Sequence, residues 1–114
     1  MQITISDEAG STGKLGLVGK LDIAGAEAIA MPLATLAGGK KSVVVDLSGV
    51  TLLASIGIRH LVSATKALSR KGGKLVLVNP NESVRDVLIS SGVDDLMPIV
   101  ATESAAYDLI RQGT

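Results

Sequence analysis

Five segments of the chain have the apolar pattern of β-strands. The predicted strands are 2–6, 14–20, 43–46, 74–78 and 97–100. The first two alternate apolar and polar residues, which predicts an antiparallel hairpin across the turn at 7–13. The third opens with three consecutive valines, a pattern typical of a strand covered on both faces. Asp46 is predicted to close that strand.

Helical spacing of apolar residues predicts four helices. They span 25–37, 56–70, 84–91 and a terminal segment capped by Thr102. Pro32 predicts a kink near Ala28 or an irregular helix there, and Gly38 and Gly39 are expected to end the first helix. The order β-β-α-β-α-β-α-β-α indicates an α/β fold in one domain, residues 1–114, with a mixed four- to five-stranded sheet and about four helices packed on it.

The change from strand to helix before Ile56 places Ser55 at a helix N-terminus. Its hydroxyl could accept hydrogen bonds from the free N–H groups of the first turn, which is the role of a plain N-cap. A phosphate on the same oxygen would face the positive end of the helix dipole. Spacing alone does not distinguish the two roles.

The charge balance disfavours two classes of partner. The 114 residues include 11 basic and 11 acidic side chains, a net charge of zero, with no cluster of one sign along the chain. There is one aromatic residue, a tyrosine, so the chain has few side chains that could stack on nucleic-acid bases. We expect neither direct nucleic-acid binding nor membrane insertion, and a protein partner suits this composition better.

Residue types for catalysis are sparse. The chain has one His, no Cys and no H-E-x-x-H motif. Residues 10–14 invite comparison with a phosphate-binding loop, but two residues instead of four separate the glycines and Leu15 follows Lys14, which favours a hairpin turn. We therefore expect no enzyme, no metal and no cofactor. His60 lies off the apolar stripe of its helix and is predicted to be solvated.

Four segments resemble the STAS domains of anti-sigma factor antagonists. They are 19–22 (Gly-Lys-Leu-Asp), 46–50 (Asp-Leu-Ser-Gly-Val), 54–57 (Ala-Ser-Ile-Gly) and 79–92, which holds Asn79-Pro80, Val84 to Leu88 and Gly92. The resemblance covers nearly the whole chain. It implies the STAS fold and a protein that binds an anti-sigma factor, often a serine kinase using ATP, and so frees a sigma factor. It also implies regulation by phosphorylation of the acceptor serine, which Ser55 matches.

The family's acceptor motif usually reads Asp-Ser-x-Gly, and Ala54 stands where the aspartate is expected. A second function therefore stays open, an adaptor or scaffold subunit without phosphorylation in a larger assembly such as a transporter. A third is small-ligand binding in the groove between Asp22 and Ser55, because a helix N-terminus is an anion site.

The resemblance implies a partner-binding surface around Ser55. Its predicted members are Asp22, Ser48, Thr51, Ser55, Ile56, Gly57, Arg59 and His60. Asp22 belongs because the resemblance places its loop beside Ser55, although its own context also fits a helix-start carboxylate. Gly57 would let the backbone of a partner come close.

The first residues enter a strand pattern directly, without the features of a signal peptide. No apolar run approaches the length needed to span a bilayer. The absence of Cys fits a reducing compartment. We expect a bacterial, cytoplasmic protein that is a monomer when free.

Overall fold

A computed structural model describes residues 1–6 and 10–112. The strands are β1 Gln2–Ser6, β2 Thr12–Leu21, β3 Ser42–Leu53, β4 Leu75–Val78 and β5 Ile99–Val100. The helices are α1 Ile23–Gly39, α2 Ser55–Ser69, α3 Glu82–Ser90 and α4 Glu103–Gln112, with a short 3₁₀ turn at Val93–Asp95. The sheet order is β1-β2-β3-β4-β5, with β1 antiparallel to β2 and the other neighbours parallel. The predicted α/β fold with a mixed sheet is confirmed.

The sheet has a hydrophobic core on each face. Val43 and Val45 of β3 pack in the larger core with residues of α1, α2 and α3. Val44, which points the other way, packs with Val76 of β4 and Ala106 of α4. Alternate residues of one strand thus enter two cores, which is why its sequence is continuously apolar.

β3 extends well past Asp46, so the prediction that Asp46 closes the strand is wrong. The Asp46 carboxylate accepts a hydrogen bond from the Ser48 N–H at 2.9 Å, as in a local turn. The chain nevertheless stays paired with β2 as far as Leu53, and two register shifts absorb the irregularity. At Gly49 a Cβ would lie 2.8 Å from Val18 of β2, so the missing side chain permits this close pairing.

α1 is longer than predicted at both ends. It begins at Ile23 and passes through Pro32 without a break in the helix. Gly38 and Gly39 lie inside it and do not cap it. The Lys71 ammonium instead donates to the carbonyls of Ala37 and Lys40, at 2.5 and 2.6 Å, and so satisfies groups that a glycine cap would otherwise serve.

Residues 7–9 of the predicted turn lie outside the described residues. The described part agrees with the hairpin interpretation of residues 10–14, because β1 and β2 pair antiparallel. Gly13 is a buried β2 residue against Leu36, and Lys14 forms a 2.5 Å ion pair with Glu103.

At the other end of the chain, Thr102 caps α4 as predicted by accepting from the Ala105 N–H at 3.1 Å. No helix among the described residues is long and apolar enough to cross a membrane.

Two leucines of β3 test the packing of the sheet. Leu47 is fully buried, whereas Leu52 is 43% exposed. We expect Leu47→Ala to lower the free energy of unfolding by about 2–5 kcal/mol because it leaves a cavity in the core. Leu52→Ala should lower it by less than about 1 kcal/mol. Denaturant unfolding of both variants measures the difference, and equal losses would contradict the assigned register.

Candidate functional site

The ends of β2 and β3 meet at one edge of the sheet. Leu21 pairs with Leu53, and one residue later the Ala54 N–H donates to the Leu21 carbonyl at 2.9 Å. Because the strands are parallel, Asp22, directly after β2, and Ser55, two residues after β3, leave the same edge of the sheet. This arrangement is consistent with the prediction that the Asp22 loop lies near Ser55.

Ser55 is the first residue of α2, and the N-cap is Ala54. Ala54 has the extended backbone of a cap (φ −94°, ψ 163°) but no side-chain oxygen. The N-cap interpretation of Ser55 is therefore wrong by one position. Ser55 is exposed, and within residues 1–6 and 10–112 nothing hydrogen bonds to its hydroxyl. A solvent-accessible hydroxyl thus stands at the positive end of a 15-residue helix.

Asp22 has a structural role at this edge. It is the N-cap of α1, and its Oδ1 accepts from the Gly25 N–H at 2.9 Å. Gly25 is required there, because a Cβ would lie 2.0 Å from the Lys20 carbonyl oxygen. A depression of about 310 Å³ lies beside Asp22, but Ser55 does not line it. This depression therefore does not supply the predicted ligand groove between Asp22 and Ser55.

Gly57 is buried, which contradicts its predicted contact with the backbone of a partner. A Cβ on Gly57 would lie 3.4 Å from the Leu21 Cβ and 3.2 Å from the Leu53 side chain. The missing side chain lets α2 approach the ends of β2 and β3. The neighbours of Gly57 are better placed for a partner, since Ile56 is half-buried and Arg59 is exposed.

Ser48 and Thr51 follow the predicted strand end at Asp46, but both lie along β3. The continued strand places Ser48 five residues before Leu53, the last residue of β3, or about 16 Å at roughly 3.3 Å per residue. Ser48 lines a separate depression of about 330 Å³ with Thr4 and Asp46. The Thr51 hydroxyl donates to the Gly19 carbonyl at 3.4 Å, a long hydrogen bond to β2. The structure thus removes Ser48 from the surface around Ser55.

His60 is half-buried, not fully solvated as predicted. It lines a groove of about 210 Å³ between α1 and α2, opposite Ala30 and Ala34. Within the described part of the chain, no group of three or more His, Asp or Glu side chains is placed to hold a metal ion.

Two exposed apolar residues of α1 were missed in the sequence. Ile23 is 77% exposed and directly follows Asp22, and Met31 is 75% exposed two turns further on. The signal was present, because Glu27 is the only charged residue between Ile23 and Gly39. A helix that is apolar on its outer face as well as its inner face is typical of a protein interface.

Solved proteins share this architecture. A Thermotoga maritima protein described as an anti-sigma factor antagonist has a TM-score of 0.86 and 25% identity, over 96% of this chain and 94% of that one. The anti-sigma factor antagonist SpoIIAA in its unphosphorylated form has a TM-score of 0.84 and 24% identity, over 97% of both chains. The class of protein is therefore an α/β domain with the fold of anti-sigma factor antagonists.

The sequence comparisons identify the family. The STAS domain pattern matches residues 4–106. The chain is 32% identical over 91 residues to a Bordetella bronchiseptica protein described as the anti-sigma factor antagonist BtrV, covering 79% of this chain and 78% of that protein. The chain belongs to the STAS domain family, and within it is related to anti-sigma factor antagonists.

Ala54 gives a direct test of the helix start. Ala54→Asn supplies a side-chain oxygen at an N-cap whose backbone is already suited to it. We expect the free energy of unfolding to rise by about 0.5–2 kcal/mol. Ala101→Asn, at an exposed position just before the Thr102 cap, is the control and should leave stability nearly unchanged. Equal stability of Ala54→Asn and the wild type would contradict Ala54 as the N-cap.

Proposed function

We propose that this protein is an anti-sigma factor antagonist in a partner switch. In its unmodified form it binds an anti-sigma factor that is also a serine kinase, and so frees a sigma factor. Phosphorylation of Ser55 reverses the binding. The observation that carries the proposal is the Ser55 hydroxyl, which is exposed, unpaired among the described residues and placed at a helix N-terminus.

The position of Ser55 suits a phosphate. The kinase would transfer the γ-phosphoryl group of ATP to Ser55 Oγ and release ADP and a proton. The N–H groups of Ser55 and Ile56 lie before the first hydrogen bond of α2, which runs from the Gly57 N–H to the Ala54 carbonyl at 3.0 Å. Both groups can therefore donate to an anion. No existing hydrogen bond of the Ser55 side chain to a described residue would have to break. The fold would therefore accept the modification without rearrangement.

The same phosphate would disrupt an interface. It adds a charge of about −1.5 to −2 and three acceptor oxygens where the partner meets a neutral hydroxyl. Ile23 and Met31 of the neighbouring helix α1 offer apolar area to a partner, and a charge enclosed in an interface has to be desolvated. Release then follows from local repulsion and desolvation, without a second conformation of the protein.

Charge at Ser55 provides the test of this mechanism. We expect Ser55→Asp to weaken binding to the anti-sigma factor by at least about tenfold, because like-charge or desolvated contacts at an interface cost several kcal/mol. Ser55→Ala should bind as the wild type does. Ser83→Asp, in the exposed first turn of α3, is the control and should also leave affinity unchanged. Calorimetric titration measures all three, and equal affinities for Ser55→Asp and Ser55→Ala would exclude the switch.

Ala54 favours a second candidate function. Without the family's aspartate before the acceptor, a kinase could fail to recognise the loop, and the domain would then be an adaptor that is not regulated by phosphorylation. The two functions differ in whether Ser55 is ever modified.

Intact-mass spectrometry of the protein from its native cells, with peptide mapping of residues 50–59, separates the two functions. The partner switch predicts a phosphate on Ser55 under some growth or stress conditions, since the hydroxyl is exposed. Incubation with the kinase and ATP should label the wild type and not Ser55→Ala. If the wild type stays unlabelled while Ala54→Asp is labelled, the adaptor is the better description.

A further inference from the structure

The exposed face of α2 carries charge of one sign. Between Ser55 and Arg70 the chain contains Arg59, Lys66 and Arg70 but no Asp or Glu. At 3.6 residues per turn, these three cations and Ser55 fall within a sector of about 60° around the helix. All four are exposed. Arg59, Lys66 and Arg70 form what we call the α2 cation stripe, which runs from beside Ser55 to the far end of the helix.

No cluster of one sign stands along the sequence, but helical geometry brings these three cations together on one face of α2 although they are separated in sequence. Among the described residues, no carboxylate forms an ion pair with a member of the α2 cation stripe. The exposed faces of α3 and α4 mix both signs, and the only charged residue of α1 is Glu27. Arg85 of α3 lies between Glu82 and Asp86, and Arg111 of α4 pairs with Asp108.

Stabilisation of α2 itself explains only some of the residues of the α2 cation stripe. Lys66 and Arg70 lie near the helix C-terminus, where cations interact favourably with the dipole. Arg59 lies in the second turn, near the positive end, where a cation gains nothing from the dipole. Lys66 and Arg70 also stand at i and i+4, where like charges repel by a few tenths of a kcal/mol. The helix itself therefore gains little from this arrangement.

We propose that the α2 cation stripe is a docking surface for an acidic face of the same partner that contacts Ser55. This inference rests on the proposed function and specifies the partner's chemistry, carboxylate side chains that run along α2. Continuity supports it, since Arg59 is one turn, about 6 Å of rise, from Ser55. Charge complementarity of this kind raises the association rate and fixes the register of the two surfaces.

The stripe also sharpens the effect of a phosphate on Ser55. The phosphate would lie at i relative to Arg59 at i+4, the spacing at which helical side chains pair. It would thus occupy one cation of the α2 cation stripe and present negative charge to the partner's carboxylates. Both effects oppose docking.

Charge reversal at Lys66 tests the inference away from Ser55. The two residues are about 16 Å apart along the helix, so Lys66→Glu leaves the surroundings of the serine intact. We expect Lys66→Glu to weaken binding to the serine-kinase anti-sigma factor by at least about tenfold, and the affinity to depend less steeply on salt than that of the wild type. Arg85→Glu on α3 makes the same charge change on an exposed helix and should bind as the wild type does. Arg70→Glu is a second reversal on the stripe, and thermal unfolding checks that each variant is folded.

The outcomes separate this inference from the proposed function. Wild-type affinity of folded Lys66→Glu and Arg70→Glu, together with weak binding of Ser55→Asp, would overturn the cation stripe and leave the switch intact. Equal weakening by Arg85→Glu would also overturn it, because net charge alone would then explain the effect. If the wild type binds none of the serine-kinase anti-sigma factors of its organism, the proposed function fails and this inference fails with it.

Discussion

Parallel pairing of β2 with β3 determines where every residue of the site lies. The two strands stay paired up to Leu21 and Leu53, and the hydrogen bond from Ala54 to Leu21 extends the contact by one more residue. Gly49 permits the close pairing of the two strands, because a Cβ there would lie 2.8 Å from Val18. For this reason Asp22 and Ser55 leave the same edge of the sheet, and α1 and α2 pack beside each other.

Much of the fold could be predicted because the buried apolar residues of each strand and helix recur at a regular spacing in the sequence. The valines of β3 indicated a strand covered on both faces, and the structure shows a core on each side of it. Boundaries were less predictable, because they depend on partners distant in the chain. β3 continues past Asp46 because β2 is there to pair with it, and Gly38 and Gly39 stay helical while Lys71 satisfies the carbonyls at the end of α1.

The candidate site was predictable at its centre and not at its edges. Ser55 and Arg59 are exposed as predicted, since the period of α2 points them away from its apolar stripe. Ser48 follows the predicted end of its strand at Asp46 but lies within the longer strand β3. Ile23 and Met31 were missed because helical periodicity identifies the face turned to the core and does not say what the other face meets. An outer face that is also apolar has to be recognised by its lack of charge.

Ala54 has two opposite effects at the start of α2. An alanine at the N-cap leaves the first N–H groups without a side-chain acceptor, so the unmodified helix loses the stabilisation that Asp22 and Asn81 supply to α1 and α3. An aspartate there would accept from those groups and place a negative charge next to Ser55. A phosphate on Ser55 would then compete for the same donors and be repelled by the carboxylate. With alanine, the donors stay available to the phosphate. The substitution therefore leaves the helix start well suited to an anion, and any loss of phosphorylation would arise in recognition by the kinase and not in the fold of this domain.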